Sequence, residues 1–242
     1  MDFKEIFYPE TKFGGFSKID GTIAFYSRVN ALLTPKDIIL DFGCGRARFQ
    51  DDTVRFRREM RVIKGKVERV IGIDITKDSE KNPYLDEFRL LEDDSWPAAD
   101  NEFDLCICDW VIEHIMNPEL FFSEAARVVR PGGYLCIRTS NKYGYARVIT
   151  QIIPNRFHAT VLSKVQHGRK EEDVFPVYNK CNTKNKMKSH LDQVGFDHLV
   201  YTHESEPAYL HFSRFAYMLG VMYHKIVPSP LKSTLFVFAR NQ

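Results

Sequence analysis

The sequence predicts an α/β fold built on a largely parallel sheet. Three observations carry this. Strand-like apolar runs alternate with helical segments along the chain. The first such run, Ile38 to Phe42, ends at a glycine turn with a charged, helix-like stretch behind it. A later helix stops at Arg130-Pro131-Gly132-Gly133, a stop signal and a turn together, which leads into another apolar run.

The elements follow in order. Asp20 can cap a helix carrying Ile23, Ala24, Val29 and Leu32, which ends before Pro35. Ile38 to Phe42 is strand one, and a charged helix is expected over about Arg46 to Met60. Val67 to Ile73 is strand two and stops on Asp74. Phe88 to Leu91 is a weak third strand and Phe103 to Cys108 a fourth. Asn117-Pro118 starts a helix, because proline suits the first helical position. That helix runs over Glu119 to Val129, and Tyr134 to Thr139 is strand five. Residues 141–182 form a long connection with little regular structure predicted, of the kind usually either functional or disordered. A helix over Thr183 to Val194, strands over His198 to His203 and Thr234 to Ala239, and an aromatic-rich helix at about 208–227 complete the chain. No repeat or linker divides it, so one domain is expected over 1–242, with its core in about 20–140 and 183–242.

Composition excludes several classes. The chain has 242 residues, 44% of them hydrophobic and 27% charged, which rules out a disordered, collagenous or coiled-coil protein. Net charge is +2, too balanced to announce a nucleic-acid partner. No apolar run is long enough to span a bilayer, and the charged start of the chain does not read as a signal peptide, so a cytoplasmic protein is expected. The five cysteines show no metal spacing and read as reduced, buried thiols. Cys106 and Cys108 should face the same side of strand four.

Chemistry concentrates at the strand ends. Asp41-Phe42-Gly43-Cys44-Gly45 puts bare backbone and a helix start beside a ligand. A dinucleotide fingerprint would need a third glycine where Arg48 stands. Asp41 would repel a pyrophosphate but suits an ammonium group, which favours S-adenosylmethionine over a nicotinamide dinucleotide. Asp74, closing strand two, can accept both hydroxyls of a ribose, and Ile75 can lie on an adenine face. In Glu92-Asp93-Asp94-Ser95-Trp96-Pro97, one carboxylate can accept from an adenine amino group.

With D-F-G-C-G at 41–45, G-I-D-I at 72–75, E-D-D-S-W-P at 92–97, F-D-L-C-I-C-D-W-V-I-E-H-I at 103–115 and R-V-V-R-P-G-G-Y-L at 127–135, the chain resembles a class I S-adenosylmethionine-dependent methyltransferase. It is similar to the small-molecule branch that holds the ubiquinone-biosynthesis O-methyltransferases. The resemblance covers about residues 15–140. It implies a doubly wound, Rossmann-like sheet of seven mostly parallel strands with the last antiparallel. The cofactor would lie at the carboxyl ends of strands one to four, and a substrate-side insertion would follow strand five. It implies that Asp41, Gly43, Cys44 and Gly45 surround the methionine part, Asp74 the ribose, Ile75 the adenine face and Asp93 or Asp94 its edge. Asp109 would line the cavity near the methyl group, and Tyr26 and Arg28 would close over the cofactor carboxylate.

The chain departs from that family at Ala47, where a glycine is common, and in a long basic stretch with nine Lys/Arg against four Asp/Glu between Arg46 and Val70. Glu113-His114 matches the end of a metal-binding E-x-x-E-H pattern, but Trp110 holds its first position, so no metal is expected. Candidate bases are His114, which follows strand four beside the expected methyl site, and, from the insertion, His158 and Tyr143. Asn141, Tyr145 and His167 also stand there. Phe212, Phe215, Leu219, Met222, Tyr223 and Ile226 recur at helical spacing, as core, as a lid, or as peripheral contact with a membrane surface.

The expected reaction is methyl transfer to a small molecule, at a hydroxyl of a glycan, a lipid-linked compound or a secondary metabolite, leaving S-adenosylhomocysteine. Two alternatives stay open: a methyltransferase acting on RNA or protein, and a cofactor-binding protein without catalysis. The absence of an N/D-P-P-Y/F signature and of a strongly basic face speaks against nucleic acid.

Overall fold

The computed structural model describes residues 3–145 and 175–242. Its strands are β1 (Ile38–Phe42), β2 (Arg69–Asp74), β3 (Glu87–Leu90), β4 (Phe103–Asp109), β5 (Val129–Ser140), β6 (Phe196–His203) and β7 (Thr234–Asn241). They form one sheet in the order β3-β2-β1-β4-β5-β7-β6. The first five run parallel, and β7 is antiparallel to both β5 and β6. β6 therefore points the same way as β5, and the carboxyl ends of six strands share one edge. Open sheets of this kind bind ligands at that edge.

The helices are α1 (Phe3–Phe7), α2 (Gly21–Leu32), α3 (Arg55–Arg61), α4 (Pro118–Val128), α5 (Lys184–Gln193) and α6 (Arg214–Ile226). Strand side chains alternate between two cores, as the pleat dictates. Ile39, Leu105 and Ile107 meet Phe25 and Val29 of α2 on one face. Leu40, Phe42, Cys106 and Cys108 meet Phe121, Phe122 and Ala125 of α4 and Met187 and Leu191 of α5 on the other.

Helix ends follow their caps. Asp20 accepts the N–H groups of Thr22 and Ile23 at 2.9 and 3.0 Å, and Asn117 accepts that of Leu120 at 3.3 Å. Caps also explain where expected helices break. The stretch expected as a helix over 46–60 is a 3-10 turn, Arg48–Asp51, followed by α3. Asp52 interrupts it: one oxygen accepts from Val54 N–H at 2.9 Å, and both are held by Arg57 at 2.6 and 2.7 Å. The stretch at 208–227 splits likewise, because Ser213 starts α6 afresh by accepting from Ala216 N–H at 3.4 Å.

Trp96 anchors the second core from the loop between β3 and β4. Its ring stacks on Phe42 at 4.2 Å, and its backbone N–H donates to the Glu124 carboxylate at 2.7 Å. Truncation by Trp96→Ala should cost about 3–5 kcal/mol. Urea unfolding is the measurement, with a lower midpoint and an unchanged slope as the expected outcome.

Candidate functional site

The glycine turn after β1 is held from three sides. Gly43 has φ 70° and donates its N–H to Ile73 O at 2.7 Å, and a Cβ there would strike Val111. Gly45 has φ 52°, with no atom within 4 Å of where its Cβ would stand. One glycine is therefore required by packing, while the other leaves a stretch of backbone open to an approaching ligand. The Asn82 side-chain amide donates to the carbonyls of Cys44 and Gly45 at 3.2 and 3.1 Å.

Asp74 ties this turn to the end of β2. Its Oδ2 accepts Gly45 N–H at 2.9 Å and its Oδ1 accepts Thr76 N–H at 2.8 Å. A carboxylate offers about four acceptor positions. Two remain for ligand hydroxyls, on a group whose orientation is already fixed. Beside it Ile75 is 61% exposed, an apolar face set next to a polar hook.

A buried charged floor lies next to the turn. Asp109, closing β4, receives Arg138 of β5 through Nε at 2.6 Å and Nη2 at 2.7 Å. Tyr26 of α2 donates to the same carboxylate at 3.0 Å, and Arg61 of α3 reaches it at 3.4 Å. Burial would raise the Asp109 carboxyl, but Arg138, Arg61 and Tyr26 outweigh it and hold it below the usual carboxylate range. Asp41 is treated oppositely. Burial first, then the nearby charges of Asp109 and Asp74, push it up to about 7, with Arg61 opposing. Arg61 lies over the rings of Phe49 and Tyr26 at 4.9 and 5.6 Å, and its Nε is buried without a hydrogen-bond partner. An orphaned donor beside a raised carboxyl is the pair of groups an amino-acid zwitterion would satisfy.

The remaining expected residues fall in different places. Asp93 and Asp94 are exposed just beyond β3. Arg28 does not approach the turn. Its guanidinium lies over Tyr201 of β6 and Phe238 of β7, several strands from β1, because its place on α2 aims it at that end of the sheet. Tyr26 is spent on Asp109, and Asp109 is committed to Arg138. His114 Nδ1 lies 2.8 Å from Pro176 O. A carbonyl only accepts, so Nδ1 carries the proton, and the lone pair of the neutral ring is on Nε2. Tyr143 is exposed on the turn after β5, its N–H bonded to Asn141 Oδ1 at 3.2 Å. His158 and His167 lie outside the described residues.

Three residues around the turn escaped the sequence reading, Arg61, Arg138 and Asn82, and Trp110 enters it only as a departure from a metal-binding pattern. Arg138 could have been flagged as a charge inside an apolar strand. Trp110 is 42% exposed, has φ 60°, and lies under Arg138 at 5.7 Å. A bulky residue in the left-handed region marks strain of the kind kept at ligand sites.

Comparison with known proteins agrees with this geometry. Residues 40–137 match the family described as "Methyltransferase domain". A ubiquinone biosynthesis O-methyltransferase of Agrobacterium fabrum is 31% identical over 111 residues, 46% of this chain and 44% of that protein. The chain thus spans less than half the length of that curated relative. A geranyl diphosphate C-methyltransferase of Streptomyces coelicolor, solved with S-adenosyl-L-homocysteine, superposes with a TM-score of 0.52 at 11% identity, covering 90% of this chain and 78% of that one. The [4+2]-cyclase SpnF superposes as well, with a TM-score of 0.54 at 16% identity over 90% of this chain and 80% of its own. The fold alone therefore does not fix the reaction.

Gly45→Ala should keep the fold at a cost of about 1–2 kcal/mol for its left-handed backbone while abolishing stabilisation by S-adenosylhomocysteine. Gly43→Ala should unfold the turn itself. Thermal unfolding with and without that ligand separates the two. By its matched segment, its sheet order and its glycine turn, the chain is similar over residues 40–137 to the methyltransferase-domain family.

Proposed function

We propose that this chain binds S-adenosylmethionine across the carboxyl ends of β1 and β2 and methylates a small molecule at a hydroxyl oxygen. The observation that carries the reading is the open Gly45 backbone hooked to Asp74, with Asp41 and the orphaned Arg61 Nε beside it. In this reading Asp41 takes the ammonium group and Arg61 the carboxylate of the amino-acid end. Asp74 accepts the ribose hydroxyls, Ile75 covers the adenine, and Asp93 or Asp94 accepts from its amino group. Cys44 contributes backbone only, since burial holds its thiol well above its ordinary range. When bound, the cofactor supplies a methyl group on a sulfonium, whose leaving group needs no help from an acid. The chain's task is then positioning and removal of the hydroxyl proton. His114 Nε2 carries a free lone pair and stands just past β4, and it takes that proton. The likeness to a protein named for ubiquinone O-methylation supports an oxygen nucleophile on a small acceptor.

The raised Asp41 gives the cofactor step a pH signature. A carboxyl that is higher in the folded protein than its ordinary 3.8 favours folding while protonated, and that contribution is lost as pH rises through about 7. An ammonium ligand selects the ionised form, so cofactor affinity should rise with pH up to about 7 and level off above it. Calorimetric titration at several pH values should show this rise in the parent protein, and Asp41→Asn should flatten it. Arg61→Gln should weaken binding by about tenfold to a hundredfold, the value of a hydrogen bond between charged groups.

Activity is tested with methyl-labelled S-adenosylmethionine and fractionated extract from the source cell. Label in the low-molecular-weight or lipid fraction, resistant to nuclease and protease, is the expected result. Label removed by either enzyme would transfer the assignment to a macromolecular acceptor.

A further inference from the structure

Helix α6 is built the wrong way out for a soluble surface. It follows β6 and precedes β7, whose Thr234 pairs with His203, so it belongs to the edge that carries the candidate site. Its inner face is Tyr217, Gly220 and Val221, packed against Tyr8, Pro207 and Leu210. Its outer face is more apolar than its inner one. Phe215, Leu219, Met222 and Ile226, spaced four, three and four apart, are 66%, 47%, 55% and 80% exposed, and Phe212 just before the helix is 60% exposed. The stripe runs about 16 Å along one side of the helix. Scattered exposed apolar residues are ordinary, whereas a continuous stripe of five large ones marks a surface that something covers.

The charges beside the stripe identify that surface. No Asp or Glu occurs in α6. Arg214 and Lys225 are exposed at its two ends, and neither forms an ion pair with a described residue. On a helical wheel both fall on the same flank, about a quarter turn from the stripe. An apolar ridge bordered by unpaired cations, without an acid, is the arrangement of a helix lying in the interface of an anionic membrane. A second copy of this chain would bring the same cations against themselves, which disfavours it as the occupant.

We propose that the outer face of α6 docks this protein on an anionic lipid surface, with the stripe entering the acyl boundary and Arg214 and Lys225 at the headgroups. Combined with the methyl-transfer reading, on which this clause rests, the acceptor is then one held in or on a membrane, delivered to the edge where the cofactor binds.

Vesicle flotation with the full chain tests the docking without any turnover. Phosphatidylcholine vesicles containing about one-third phosphatidylglycerol should carry the protein up, and pure phosphatidylcholine should carry much less. Leu219→Asp with Met222→Ser should weaken binding by about tenfold or more, because the inserted apolar area is lost. Arg214→Gln and Lys225→Gln should each weaken it roughly fivefold on the anionic vesicles only, the value of one basic residue near such a surface. Circular dichroism and S-adenosylhomocysteine binding should be unchanged in all four substitutions. Equal flotation of parent and stripe variants, or no flotation of the parent, would overturn the proposal. So would a dimer in light scattering that Leu219→Asp dissolves. Failure of the methyl-transfer reading would show instead as absent cofactor binding with flotation intact.

Discussion

The ion pair between Asp109 and Arg138 is the interaction on which the rest of the site depends. It joins the ends of β4 and β5, and through Tyr26 and the bond from Arg138 Nη1 to Thr22 Oγ1 at 2.8 Å it fixes α2 over the sheet. Arg61 brings α3 to the same carboxylate. Four elements that are distant in sequence thus meet on one buried charge. Such a pair adds little net stability against an apolar replacement. Removing only one partner, however, strands the other charge in the interior at a cost of about 3–5 kcal/mol. Its effect is on arrangement, since each element has one position in which the charges are satisfied.

The same pair prepares Asp41 for a ligand. Asp109 is neutralised locally by Arg138, yet its charge still acts on Asp41 together with that of Asp74. Two carboxyls close together are driven in opposite directions: one has a dedicated cation, while the other has only the more distant Arg61. The group left without its own partner is the one that gains most from an incoming cation. Arg61, with a buried donor to spare, gains correspondingly from an incoming anion. A ligand carrying both charges on one carbon satisfies both debts at once.

The edge has a second half, beyond β5. There β6 and β7 turn the chain back, and α6 rises between them with its apolar side outward. The charged half and the apolar half share the carboxyl edge of the sheet. A methyl donor rich in polar groups and an acceptor brought from lipid would need those two environments next to each other.

The local reading succeeded where neighbours in sequence decide the outcome. β1 was legible to the residue, because an apolar run between Pro35 and a glycine turn has few other states. The Asp20 and Asn117 caps were legible because a cap acts within three positions. The turn at 43–45 and Asp74 followed from spacing along one β–α–β unit. The expected helix at 46–60 failed because Asp52 found a partner in Arg57 and turned the backbone, a bond that periodicity does not register. Arg28 was expected beside the turn, but it lies over Tyr201 and Phe238, and Arg61 is the arginine that reaches Asp109. Nothing near either residue distinguishes them, since Arg61 acquires its place by meeting Asp109, 48 positions away, once β1 and β4 are paired. Residue order alone was thus enough for the strands, the caps and the open turn, whose forces act over a few residues. Which carboxyl is raised, which arginine meets Asp109 and which face of α6 stays exposed were settled by long-range packing, because burial and charge pairing exist only after the sheet has assembled.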